Sequence, residues 1–210
     1  MPDFATLSLF LSAAIALAIT PGPGRVYVMT RSLKGGRREG IVSSFGTAVG
    51  GLFHVVAAAL GISIILAASA IAFNVVKYLG AGYLIYLGIK TILSQDAPIE
   101  TQGIQRTGHR RAFLQGVTVE VLNPKTALFF LAFIPQFVNP AGVVFAQFLL
   151  LGSISISLNT SADLIVAFLA GPIGQRLQAS PRLRATQRYA TGTGLISLGS
   201  YVAFHGETDG

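Results

Sequence analysis

Charged and imidazole side chains are scarce in this chain, and several fall inside long apolar runs where each needs a physical reason. Asp163 follows Asn159 and Ser155 at intervals of four residues, so all three share one face of a helix. Such a stripe can line a water-filled path with Asp163 carrying a proton, or it can form a hydrogen-bonded seam between helices. His54 follows Gly46 and Gly50 with the same spacing. The glycines permit close helix approach, and an imidazole beside them can exchange protons or can bond a neighbouring carbonyl as a neutral ring. Glu120 and Asn123 are three residues apart and share a face. Glu120 is a candidate proton carrier or amine binder, with a structural ion pair to Lys125 or Arg25 as the alternative. Arg25 could clamp a carboxylate through two parallel hydrogen bonds, or its long stem could carry the charge to an aqueous face.

Arg25 and Glu120 flank two interruptions. Pro21-Gly22-Pro23-Gly24 lies about two thirds of the way along the first apolar run, and Asn123-Pro124-Lys125 lies inside a later one. Proline removes a backbone donor and clashes with the preceding turn, so a helix should break at the first site and at least bend at the second. In hydrocarbon the freed backbone groups cost several kcal/mol each unless protein or water satisfies them. The N–H groups that open the half-helix after Pro21 would attract an anion such as a carboxylate. A harmless proline kink is the bland alternative.

The elements that must position these groups follow from composition. Of 210 residues, 52% are hydrophobic and 11% charged, with 15 Lys and Arg against 8 Asp and Glu, and no cysteine. Mean hydropathy is +0.65. A soluble domain carries roughly a quarter charged residues, so this composition excludes an ordinary soluble enzyme and a disordered chain. Spanning helices need about 20 mostly apolar residues. Six stretches qualify, near 4–29, 40–68, 71–93, 112–137, 141–170 and 187–205. The N-terminus lacks the basic residues of a cleaved signal, so the first stretch is expected to remain in the mature protein. Twelve of the 15 basic residues lie in or beside alternate linkers: Arg31 to Arg38, Lys90 to Arg111, and Arg176 to Arg188. Basic loops stay cytoplasmic, which predicts both termini outside the cytoplasm.

The halves also resemble one another. Phe10-Leu11 and Thr20-Pro21 have the spacing of Phe113-Leu114 and Asn123-Pro124, and Lys77-Tyr78 with Leu84-Ile85 matches Arg188-Tyr189 with Leu195-Ile196. Repeats of three spans must run in opposite senses across the membrane, as in many secondary transporters. The expected fold is therefore an all-α integral membrane protein of six helices in two inverted three-helix repeats, with the first helix of each broken by proline. One domain would fill residues 1–210, with repeats at about 4–93 and 112–205 and a cytoplasmic linker at 94–111.

Several of these pieces together resemble the LysE/RhtB family of bacterial amino-acid exporters. They are Thr20-Pro21-Gly22-Pro23, Gly35 to Gly40, Gly46 and Gly50 with His54, Lys77 to Leu84 with Gly88, Phe113 to Gly116, Leu122 to Phe130, and Pro135-Gln136-Phe137. The match runs in the family's order from the first span to the end of the fourth. It implies proton-driven efflux, across the bacterial inner membrane, of amino acids or close derivatives such as homoserine, threonine, lysine or homoserine lactones. The chain departs from the family pattern at Gly24-Arg25, where a small polar residue and an apolar one are usual, and at Glu120, where asparagine is common.

Other functions fit less well. No Gly-Lys pair offers a phosphate loop, so ATP hydrolysis by this chain is not expected. His54, Glu120 and Asp163 are too dispersed for a metal set, which leaves metal-ion or other small-solute export as an alternative without a defined site. No cofactor, catalytic group or nucleic-acid partner is expected. The expected partners are protons, an amino-acid-like solute and membrane lipid, and Gly46 and Gly50 could pack helices within one chain or between copies.

Overall fold

The computed structural model describes residues 4–19, 22–68, 70–94, 108–139, 141–169 and 180–205. Among them the regular elements are all helical: α1 (Phe4–Ile19), α2 (Pro23–Gly35), α3 (Arg37–Ala68), α4 (Ala70–Leu93), α5 (His109–Val121), α6 (Pro124–Ala132), a 3-10 turn (Ile134–Phe137), α7 (Val144–Leu169) and α8 (Pro181–His205). Among the described residues two helices are long and apolar enough to cross a membrane, within Arg37–Ile64 and Val144–Leu169. The pair His109–Val121 and Pro124–Phe137, bent by 52°, makes a third if counted as one span.

The polarity of the molecule is the reverse of a soluble protein's. Ile64, Ile71, Leu79 and Phe53 are each more than half exposed, whereas Arg31, Glu39, Ser43, Thr47 and Asp163 are buried. Water would penalise both halves of that arrangement, and lipid around the outside rewards it.

Helix α3 is the central column, packed against α5, α7 and α2, while α4 pairs mainly with α8. Two glycines explain how α3 and α5 come so close. A Cβ on Gly46 would sit 2.3 Å from the Phe113 carbonyl oxygen, and one on Gly50 would sit 2.8 Å from the Val117 oxygen. One turn further along the same face, His54 Nε2 lies 2.8 Å from the Glu120 oxygen. The small-residue spacing thus becomes a ladder of contacts to successive turns of α5. Gly46→Ala has no room without moving a main chain, so it should destabilise the folded protein by about 1–3 kcal/mol. Denaturation of the purified protein in detergent, compared with wild type, checks this.

Both interruptions end as helix starts. Gly22 is the N-cap of α2, with extended backbone and Pro23 in the first turn, and Val26 N donates to Gly22 O at 2.9 Å. Asn123 is the N-cap of α6, with Pro124 in the first turn and its side chain accepting from Lys125 N. Proline suits that position because its missing N–H would have had no partner there. Gly22-Pro23 and Asn123-Pro124 thus share the same cap–proline form, two residues beyond the Thr20-Pro21 position used in the sequence comparison. Thr20 and Pro21 lie outside the described residues, as does the sequence-based pairing that rested on them.

Candidate functional site

The starts of α2 and α6 converge on a cavity of about 60 Å³ walled by α2, α3, α5, α6 and α7. That is several times the ~10–15 Å³ that admits one water. Its lining brings together residues singled out from the sequence: Gly22, Gly24, Arg25, Glu120, Asn123, Lys125, Asn159 and Asp163. Ala48, Gly51, Phe129, Phe130 and Ile156 form its apolar part.

Arg25 does not reach for an aqueous face. Its side chain is 10% exposed, and its Nε donates to Asp163 Oδ1 at 3.1 Å. Thr47 Oγ1 lies 3.5 Å from the other oxygen of Asp163. The stripe on α7 behaves in parts: Asp163 is engaged by Arg25 and lines the cavity, Asn159 lines it too, and Ser155 is buried behind them.

Glu120 is held differently. Thr126 Oγ1 donates to its Oε1 at 2.6 Å, and Asn123 Nδ2 donates to its Oε2 at 3.3 Å. Neither is a cation; the ion pair to Lys125 or Arg25, the alternative raised from the sequence, is not seen within 4.0 Å among the described residues, although Lys125 stays close enough to interact with the carboxylate. Lys125 instead extends across the start of α2, where a Cβ on Gly22 would meet its Cδ at 3.3 Å and its Nζ at 3.4 Å. Two cationic side chains and two carboxylates therefore face one small space, with no net charge.

His54 is absent from the lining. Because a carbonyl can only accept, its Nε2 carries the hydrogen and donates to Glu120 O, which also accepts from Asn123 N at 3.0 Å. His54 thus pins the end of α5 just where the chain bends. Asn123 serves two structures at once, capping α6 and holding the Glu120 carboxylate. Asn123→Ala should cost about 0.5–2 kcal/mol from the lost cap. It should also slow transport, and chemical denaturation together with an exchange assay in vesicles separates the two effects.

The order of contacts along α5 and α6 shows what brackets the cavity. Near the start of α5, Gly108 N donates to Glu39 Oε1 at 3.2 Å, Arg31 pairs with Glu39 at 3.8 Å and bonds Gln115, and Tyr27 donates to Ala112 O at 2.7 Å. Along α6 and after it, Phe10, Phe129, Phe133 and Phe137 pack in stacked, tilted and edge-on pairs with ring centroids 4.6–5.7 Å apart. A polar network lies toward the start of α5 and an aromatic cluster toward the end of α6. Sequence reasoning treated Arg31 as a loop charge and missed the network, although Tyr27 and Arg31, one turn apart, were the available signal. Thr47 and Thr126 were missed as well, because hydroxyls in apolar helices usually bond their own backbone. Among the described residues no three His, Asp or Glu side chains gather as a metal set.

An apolar exterior around a charged cavity at two helix starts defines a solute-translocating membrane protein. Residues 15–206 match the LysE type translocator family, and the chain belongs to it. It is 31% identical over 203 residues to the uncharacterized membrane protein YrhP of Bacillus subtilis, covering 92% of this chain and 95% of YrhP. A homoserine/homoserine lactone efflux protein of Salmonella typhimurium is 33% identical over 172 residues, covering 78% of this chain and 83% of that protein. A leucine efflux protein of Salmonella choleraesuis is 29% identical over 133 residues, 62% of each chain. No solved structure matches the chain.

Proposed function

We propose that this protein exports small α-amino acids or close derivatives across a bacterial inner membrane in exchange for protons. The observation that carries the reading is the cavity itself, where Arg25, Lys125, Glu120 and Asp163 present balanced charge between two helix starts. A zwitterion matches that balance: its carboxylate faces Lys125 and the N–H-rich helix starts, and its ammonium faces the acidic side. The efflux proteins among its relatives support the same direction and substrate class.

The path is read as two inverted three-helix repeats, α1–α4 and α5–α8, with basic linkers on the cytoplasmic side and the termini opposite. The matched cap–proline starts support this, and so do the contacts. The third helices of the repeats, α4 and α8, pack together, as do the second helices, α3 and α7, while α4 meets α6 much as α8 meets α1. Alternating access would then open the network around Arg31 and the cluster around Phe133 in turn. Arg25 and Asp163 are the gating pair in this reading, because parting them would free Arg25 to move. His54 acts by holding the α5 bend rather than by carrying the proton.

Purified protein in proteoliposomes, loaded with a panel of labelled amino acids and given a pH gradient, tests the function. Efflux of one class that collapses with the gradient is the expected result. Movement of none from folded protein would defeat the proposal.

A further inference from the structure

Two acids face the cavity, and they are held differently: one by a direct ion pair, the other by neutral groups, with Lys125 close enough to feel its charge. Asp163 is neutralised by Arg25 at 3.1 Å. The Glu120 carboxylate is cradled by the Thr126 hydroxyl at 2.6 Å and the Asn123 amide at 3.3 Å, and among the described residues no cationic nitrogen lies within ion-pair distance of it. A carboxylate out of bulk water is costly unless a charge answers it. Its place in the cavity wall points to where that charge comes from.

The opposite wall is cut to fit it. A Cβ on Gly24 would lie 2.3 Å from Glu120 Oε2 and 3.4 Å from its carboxyl carbon. Only glycine at position 24 lets the carboxylate rest in its cradle. The geometry makes Gly24 and Glu120 one feature: a bare backbone on α2 facing a carboxylate on α5.

We infer that Glu120 is the specificity-determining receptor for the substrate's free ammonium group, and that the coupling proton competes for the same carboxylate. This rests on the efflux reading above and gives it a site. Ionised, Glu120 accepts an ammonium N–H. When a proton arrives from the acidic side, the carboxyl becomes neutral, the ammonium loses its counter-charge, and the substrate leaves with its amine still protonated. No covalent bond forms or breaks, and one site holds either cation but never both, which enforces exchange. The charged and titratable groups around Glu120 are His54 on α3, bonded to its carbonyl, with Arg25 on α2, Lys125 on α6 and Asp163 on α7 across the cavity.

The test uses the whole chain in proteoliposomes, with labelled L-leucine and L-homoserine in counterflow. The 2-hydroxy acid analogues of both serve as competitors, because they keep the carboxylate and side chain but lack the amine. Wild type should prefer the amino acid over its hydroxy analogue by about 30- to 100-fold, the scale of one charge-assisted hydrogen bond. On the acidic side its half-saturation concentration should rise as the pH falls, as for direct competition with one proton. In Glu120→Gln the preference should fall to within about threefold and the pH dependence should vanish. Gly24→Ala, which leaves the acid in place but pushes it from its cradle, should weaken the preference in the same direction. Because Glu120→Asp withdraws the carboxylate by one methylene, Gly24→Ala/Glu120→Asp should regain part of what Gly24→Ala loses.

Wild-type preference and pH dependence in folded Glu120→Gln would overturn the inference while leaving amino-acid efflux standing. Loss of the pH dependence alone, with amine preference intact, would also overturn it, since one group must do both. If Glu120→Gln does not fold, Gly24→Ala decides: wild-type behaviour there overturns the inference. Failure of wild type to exchange either amino acid would instead remove the efflux reading and the inference with it.

Discussion

Asp163→Asn should abolish gradient-driven transport and also destabilise the protein, and the two losses should come apart in a double variant. The substitution leaves the Arg25 guanidinium in a nearly dry site without its carboxylate, 3.1 Å away in wild type. Breaking one side of a buried pair costs about 3–5 kcal/mol, mostly the penalty of the stranded charge. Removing both charges with apolar residues of similar size can be close to neutral. Arg25→Met/Asp163→Leu should therefore recover most of the stability lost by Asp163→Asn, read from denaturation midpoints, yet still move no substrate against a gradient. Recovery of stability and transport together would reduce the pair to a structural brace.

The second large effect concerns the other buried ion pair. Arg31 and Glu39 are 6% and 4% exposed and stand outside the cavity, in the network that ties α2, α3 and the start of α5. Arg31→Ala should again cost about 3–5 kcal/mol, because Glu39 stays buried. Its functional signature should differ from that of Asp163. In the proposed transport cycle the network gates one side of the cavity, so loosening it should expose the interior from that side. The 210 residues contain no cysteine, so a single cysteine at Asn159 gives a clean reporter. Labelling of that cysteine by a charged thiol reagent should speed up by about tenfold or more for each ~1.4 kcal/mol by which the closed arrangement is weakened. Unchanged labelling with reduced stability would confine the network to bracing.

The contrast between these pairs also shows what the sequence could and could not reveal. Periodicity exposed everything that depends on one helix: the face shared by Gly46, Gly50 and His54, the stripe ending at Asp163, and the breaks that became the starts of α2 and α6. These features repeat within a turn or two, and the physics that selects them is local. Partnerships across the fold were invisible. Arg25 and Asp163 are 138 positions apart, and nothing in either neighbourhood says which distant charge will answer it. Arg25 consequently read equally well as a group bound for the aqueous face. Arg31 looked like one more loop charge because its count served the topology argument, and its burial depends on Glu39, Gln115 and Tyr27 arriving from three elements.

The departures at Gly24 and Glu120 were legible as oddities but not as a pair. Only the crossing of α2 and α5 places the bare glycine against the carboxylate. Span counting met its own limit. The apolar runs are long enough for six crossings; the breaks divide the first and fourth into shorter helices, and among the described residues α3 and α7 qualify unbroken.

The central claim is that amino acids and protons exchange through the cavity at the two helix starts. The most direct measurement seals purified protein in vesicles with a pH indicator inside, sets internal and external pH equal, and imposes only an outward gradient of L-leucine or L-homoserine. Export coupled to proton entry predicts acidification of the lumen as the amino acid leaves, absent in Arg25→Met/Asp163→Leu. Amino-acid efflux with no change in luminal pH, or acidification that persists in that variant, would contradict the account.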